Sequence, residues 1–172
     1  KNHVILDVDV DKKQKTKVKN IIIEGNKEVS TKQLKGGMFS KGALQNIHEV
    51  NKFRNIFKKK KFTPERYEED KANLIAKYNE LGYRDAIILE DSVSYYDEKH
   101  VNVYLKVFEG QKYYIRNITW AGNTVYQTDV LASMLGMKKG DVYNQTLLQK
   151  RIKEDEDAVG NAYWDHGYIF YD

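Results

Sequence analysis

One short pattern occurs twice in this chain. Val18 to Asn26 reads Val-Lys-Asn-Ile-Ile-Ile-Glu-Gly-Asn, and it returns 97 residues later as Ile115 to Asn123, Ile-Arg-Asn-Ile-Thr-Trp-Ala-Gly-Asn. Thr31 and Leu34 recur at the same offset as Thr128 and Leu131. A second echo, at an offset of 85, links Tyr78-Asn79-Glu80-Leu81-Gly82-Tyr83 with Tyr163-Trp164-Asp165-His166-Gly167-Tyr168. Two echoes in the same order imply an array of similar small modules, an arrangement usually built to bind along its length.

The first copy can be read element by element. Val18 to Glu24 is isoleucine-rich and reads as a strand, ended by Gly25-Asn26. Ser30 precedes Gln33 at capping-box spacing, so a short helix starts there and stops at Gly36-Gly37. Thr63-Pro64-Glu65 opens a second helix, with Tyr67, Lys71, Leu74, Ile75, Tyr78 and Leu81 at helical spacing and Gly82 as terminator. Ala86 to Ser94 reads as a strand, and Asp97-Glu98-Lys99 as a turn. Val101, Val103, Leu105 and Val107 then alternate with polar residues, a strand with one buried face.

The second copy is expected to repeat this order. Its strand is Ile115 to Ala121, a helix follows near Thr128, and Asn144 caps a longer helix running to Gly167. Tyr168 to Asp172 begins a strand. His3-Val4 matches His100-Val101, again 97 residues apart, and Val4, Leu6, Val8 and Val10 alternate as residues 101–107 do. The expected organisation is therefore 1–13 as the last strand of a preceding module, 14–110 as a complete module with an insertion near 39–62, and 111–172 as a module lacking its last strand. Residues 3–10 of one molecule could then fill that gap in another, a head-to-tail contact.

Composition narrows the function. With no cysteine there is no disulfide framework and no cysteine-ligated metal site. The net charge of +4 is mixed in sign along the chain, unlike the one-sided charge of a dedicated nucleic-acid binder. No apolar run reaches the ~20 residues of a membrane-spanning helix. His3, His48, His100 and His166 fall in separate elements, and there is no Gly-x-Gly-x-x-Gly or Walker pattern. The reading is non-enzymatic, with no cofactor.

The strand-helix-helix-strand-strand order, the Gly-Asn exit, the Leu-Gly-Tyr after the long helix and Val107-Phe108-Glu109-Gly110 together resemble POTRA (polypeptide-transport-associated) domains. Tandem copies are similar to the arm of the outer-membrane protein assembly factor family, part of the barrel-assembly machinery. The resemblance implies an α+β fold of tandem β-α-α-β-β modules. Each has a three-stranded mixed sheet with two helices on one face and the last strand in the middle. It implies a place on the periplasmic face of a Gram-negative outer membrane, ahead of a C-terminal membrane barrel. The implied partners are unfolded outer-membrane proteins and accessory assembly lipoproteins. Gly25, Asn26, Gly82, Tyr83, Gly110, Gly122, Asn123, Gly167 and Tyr168 carry the structural motif. One departure is that Glu109-Gly110 has Lys12-Lys13 at the matching earlier junction.

In such a sheet the second strand is an edge, and an extended peptide can add to it. Arg84, Asp85, Ala86, Ile87, Ile88, Leu89 and Glu90 are the candidate residues, within an edge running from Arg84 to Ser94; the alternative is an edge that is only solvated or covered by a neighbour. Lys58, Lys59, Lys60 and Lys61 in the insertion have three readings: a solvated loop, a contact for acidic lipid headgroups, or one for an acidic partner. Trp120, Tyr113, Tyr114 and Tyr126 form either an interdomain surface or ordinary core of the second module. The rival functions are a two-partner-secretion transporter, a division scaffold, or a small RNA-binding module, though no nucleic-acid partner is expected.

Overall fold

The computed structural model describes residues 16–36, 42–50 and 61–167. Strand β1 (Lys17–Glu24) is followed by helices α1 (Thr31–Lys35) and α2 (Pro64–Glu80), then strands β2 (Ile87–Asp97) and β3 (His100–Phe108). The sheet order is β1-β3-β2. β3 lies in the middle, parallel to β1 (Ile21 opposite Val103) and antiparallel to β2 (Val93 opposite Val103). This is the mixed sheet the resemblance implies.

The helix signals act as the sequence predicts. Ser30 and Gln33 form a full capping box at α1, and the Thr63 side chain accepts from Arg66 N at the start of α2 with Pro64 in its first turn. Tyr67, Leu74 and Tyr78 of α2 are buried in the same core as Val101, Val103, Leu105 and Val107 of β3. Each such side chain removed from water contributes about 1.5–3 kcal/mol. Gly25 is fixed by a close approach: a Cβ there would lie 2.0 Å from the Val107 carbonyl oxygen, and its φ is +83°.

Two phenols are held in this core by carboxylates. Tyr67 donates to Asp91 at 2.9 Å, and Tyr78 donates to Glu109 at 3.1 Å. Burial, then the neighbouring carboxylate, pushes both phenols well above the usual tyrosine value. Above about pH 10 the unfolded chain releases these protons while the folded one keeps them, so stability falls as pH rises. Urea midpoints are expected to drop between pH 9 and 11 (roughly the span over which a free phenol titrates). The double variant Tyr67→Phe/Tyr78→Phe should flatten that drop.

The second copy is helical: α3 (Thr128–Leu135), α4 (Gln145–Gln149) and α5 (Val159–Asp165). Its start repeats the first at atomic detail. Asn26 Nδ2 donates to Val29 O and Thr31 Oγ1, and Asn123 Nδ2 donates to Tyr126 O and Thr128 Oγ1.

Two expectations need correction. The predicted strand Ile115 to Ala121 makes no ladder; Tyr114 alone forms a bridge, to Val142. In the first copy this segment's equivalent is paired by β3, and no such central strand lies beside it among the described residues. The single long helix from Asn144 is also broken. Asn144 caps α4 by accepting from Leu147 N, but Lys150–Glu154 widens to a π-type turn and Asp155 leaves the helix at φ −71°, ψ 150°. Glu154, Asp155, Glu156 and Asp157 crowd negative charge at a helix C-terminus, where the dipole disfavours it. Arg151 draws Asp155 (3.7 Å) and Asp157 (3.2 Å) back over the turn. The expected strand 168–172 lies outside the described residues.

Candidate functional site

A three-stranded sheet has two edges, and this one treats them differently. Along β1 outward groups at Thr16, Val18 and Ile21 are taken. Val50 N donates to Val18 O at 2.8 Å, and Phe62 N donates to Thr16 O at 2.9 Å. Glu49 pairs with Val18 as an isolated bridge and accepts from Ile21 N at 3.0 Å. The Lys35 ammonium donates to Ile21 O and lies 3.0 Å from the Glu49 carboxylate. The described part of the insertion therefore seals the β1 edge. Asp70 of α2, fully buried, holds that segment by accepting from Gln45 N, Asn46 N and Ile47 N at 2.7–3.0 Å.

Along β2 no further strand pairs among the described residues. The strand is 11 residues long, and all but Ile88 are exposed. Its outer side therefore presents alternate N–H and C=O groups to solvent. The register shifts between Ile88 and Glu90 and between Tyr95 and Asp97, so bulges bracket a regular stretch, Glu90 to Tyr95. Beside this edge runs a groove of about 500 Å³ between α2 and β2. Ala72 and Ile75 form one wall, Ile87 and Ile88 the other, and Lys71 and Asp91 meet across it at 3.2 Å. The hydrogen bond to Glu68, with a further one to Asp91, holds the Lys71 ammonium above its usual range, so it stays charged at neutral pH.

The candidate residues divide. Ile87, Ile88, Leu89 and Glu90 lie on β2, and the edge extends past Ser94 to Asp97. Arg84, Asp85 and Ala86 precede the strand, which corrects their assignment to the edge. Ala86 is buried in the first core, while Arg84 and Asp85 belong to the junction with the second copy. The Tyr113 hydroxyl donates to Asp85, Arg84 lies 5.1 Å from the Tyr113 ring centroid, and Tyr113 N donates to Gly82 O at 2.9 Å. That hydrogen bond from Tyr113 holds the Asp85 carboxyl below its usual range. A Cβ on Gly82 would lie 2.6 Å from the Val142 side chain, so this glycine permits the close junction.

The aromatic group also divides. Tyr113 is at the junction, while Trp120 and Tyr126 pack against the second core, around Leu131 and Leu135. Gly110, Gly122 and Gly167 all take positive φ as the motif implies, and Tyr83 is buried edge-on against Tyr78. Lys61 is exposed at the approach to α2; Lys58, Lys59, Lys60 and Tyr168 lie outside the described residues.

Among the described residues three carboxylates are buried, Glu49, Asp70 and Glu109; the sequence reading named Glu109 in a motif and missed the burial of all three. Asp70 stands in the run Glu68-Glu69-Asp70, which looks like a solvated helix face. Its signal is weak: it lies three residues after Tyr67 and four before Leu74, on the helix's apolar side. Glu109 accepts from Lys27, Glu28 and Val29 N at 2.8–2.9 Å, and so holds the exit of β1.

The POTRA family, described as surface antigen variable number repeat, matches residues 16–110 and again 113–172. The chain belongs to the POTRA family. It is 25% identical over 175 residues, 96% of its own length and 18% of the relative's, to a Treponema pallidum (strain Nichols) protein provisionally named an outer membrane protein assembly factor. It is 23% identical over 164 residues to the outer membrane protein assembly factor BamA of Neorickettsia risticii (strain Illinois), covering 90% of this chain and 19% of that one. The chain thus spans about a fifth of the length of these relatives. Among solved structures it matches the Haemophilus influenzae BamA POTRA3-5 fragment with a TM-score of 0.54 and 22% identity, over 78% of this chain and 50% of that one. That likeness supports the fold.

Proposed function

We propose that this chain is a non-enzymatic docking segment of an outer-membrane β-barrel assembly factor, acting on the periplasmic side ahead of a membrane barrel. Residues 14–110 and 111–172 serve as two successive POTRA modules, and residues 1–13 as the end of a preceding one. The ligands are extended segments of unfolded outer-membrane proteins and of accessory assembly subunits, added as a strand to β2. The observation that carries this reading is the asymmetry of the two edges: β1 is sealed by Glu49, Val50 and Lys35, and β2 is open beside an apolar groove. Main-chain pairing accepts many sequences, and the Ile75–Ile88 groove takes alternate apolar side chains. A charged pair in the groove, Lys71 and Asp91, limits indiscriminate sheet growth.

The test is fluorescence anisotropy with a labelled ten-residue peptide of alternating apolar and polar residues, patterned after a barrel strand (the roughly 9–11-residue length of such strands sets its size). Saturable binding is expected. It should survive scrambling that keeps the alternation and disappear when proline replaces two central residues. Equal binding of the proline peptide would remove backbone pairing as the mechanism.

A further inference from the structure

The open β2 edge has two faces, and they differ in charge. Ile88, Asp91, Val93 and Tyr95 stand opposite Val107, Leu105, Val103 and Val101, so they share the sheet face that packs on α2. The bulge between Ile88 and Glu90 takes up the odd residue. A strand added to β2 alternates its side chains between the two faces, so its successive α2-side residues meet these four positions in turn. Ile88 lies with Ala72 and Ile75 in the groove, and Val93 and Tyr95 are exposed. Asp91 is the one carboxylate in that row.

Asp91 is held through a single oxygen. The Tyr67 hydroxyl donates to Oδ2 at 2.9 Å and the Lys71 ammonium donates to the same atom at 3.2 Å, whereas Oδ1 accepts no hydrogen bond among the described residues. Lys71 is also paired with Glu68, at 2.8 Å. Two carboxylates thus share one ammonium, and the Asp91 side chain keeps 34% of its surface exposed. On the opposite face Glu90 is matched by Lys106 at 3.0 Å, and Ser92 and Ser94 are neutral.

We propose that Asp91 makes β2 selective for strands that carry a lysine or arginine at the α2-side position facing it, with apolar residues two places to either side. The proposal rests on strand addition to β2 and names the class of strand taken. A cationic side chain there donates to Asp91 Oδ1, and the apolar neighbours pack on Ile88 and Val93. A carboxylate there meets Glu68 and Asp91 with their one ammonium already shared. Opposite charges on neighbouring strands stabilise, and like charges destabilise. The selection is local, because the net charge of the whole chain, +4, favours an acidic ligand.

The test titrates this chain with versions of the labelled strand peptide whose central α2-side residue is Lys, Gln or Glu. The Lys version is expected to bind about tenfold more tightly than the Glu version, with Gln between them. Moving the lysine one place along turns it to the other face and should forfeit the gain. Asp91→Asn keeps an acceptor for the Tyr67 hydroxyl and should abolish the preference. Lys71→Gln removes the shared ammonium and should enlarge it. Damage to the fold would not move the two variants in opposite directions. Equal binding of the three versions, or a preference for Glu, would overturn the selection and leave strand addition standing. A lysine preference that persists in Asp91→Asn would overturn it as well. Failure of every version to bind would overturn both the selection and strand addition to β2.

Discussion

Glu109→Ala is expected to lower the unfolding free energy by about 3–5 kcal/mol, a large effect for a substitution outside the apolar core. The carboxylate is 6% exposed and accepts from the backbone of Lys27, Glu28 and Val29 and from the Tyr78 hydroxyl. Alanine leaves the buried Val29 N and Tyr78 hydroxyl, and the part-buried Lys27 N and Glu28 N, without that acceptor, and an unmet buried donor costs about 1–3 kcal/mol. Glu109→Gln should recover part of the loss, because one oxygen remains. Glu90→Ala removes an exposed pair with Lys106 and should change stability by under ~1 kcal/mol. Urea unfolding followed by far-UV circular dichroism measures all three. A cost for Glu109→Ala no larger than that for Glu90→Ala would mean that the β1 exit is held by something else.

The second large effect concerns binding. Ser92 and Val93 are consecutive residues in the regular part of β2, opposite Tyr104 and Val103. In an antiparallel pair successive N–H groups point alternately to the partner and away from it. One of Ser92→Pro and Val93→Pro therefore breaks the β2–β3 ladder, and the other removes an outward donor only. The ladder-breaking variant should lose much of the sheet's stability. The other should fold and yet bind the strand peptide at least about tenfold more weakly, since it loses a main-chain bond and gains a ring clash. If both variants fold and bind as the parent does, the peptide does not add to this edge.

Much of the fold was legible in the residues, for physical reasons. The Ser30–Gln33 box, Thr63-Pro64 and the alternation in 101–107 are local signals, and local chemistry decides them. Segment 115–121 has the strand pattern but no ladder, because pairing needs a partner and a pattern alone cannot supply one. The helix after Asn144 broke where acidic repulsion outweighed periodicity. The β2 edge was legible from element order, although Arg84 and Asp85 turned out to serve the junction. The sealing of β1 was not, because it rests on contacts distant in sequence: Glu49 with Ile21, and Asp70 with residues 45–47. No spacing rule marks a carboxylate that caps another segment's backbone.

The most direct test of the central claim is residue-resolved amide exchange with and without the strand peptide. An added strand protects every second amide of β2 from about Ile88 to Tyr95, and leaves the β1 edge unchanged because Glu49 and Val50 already occupy it. Alternating protection confined to β2 is the predicted result. Protection along β1, or uniform protection with no alternation, would contradict an account in which one sealed edge leaves the other to bind.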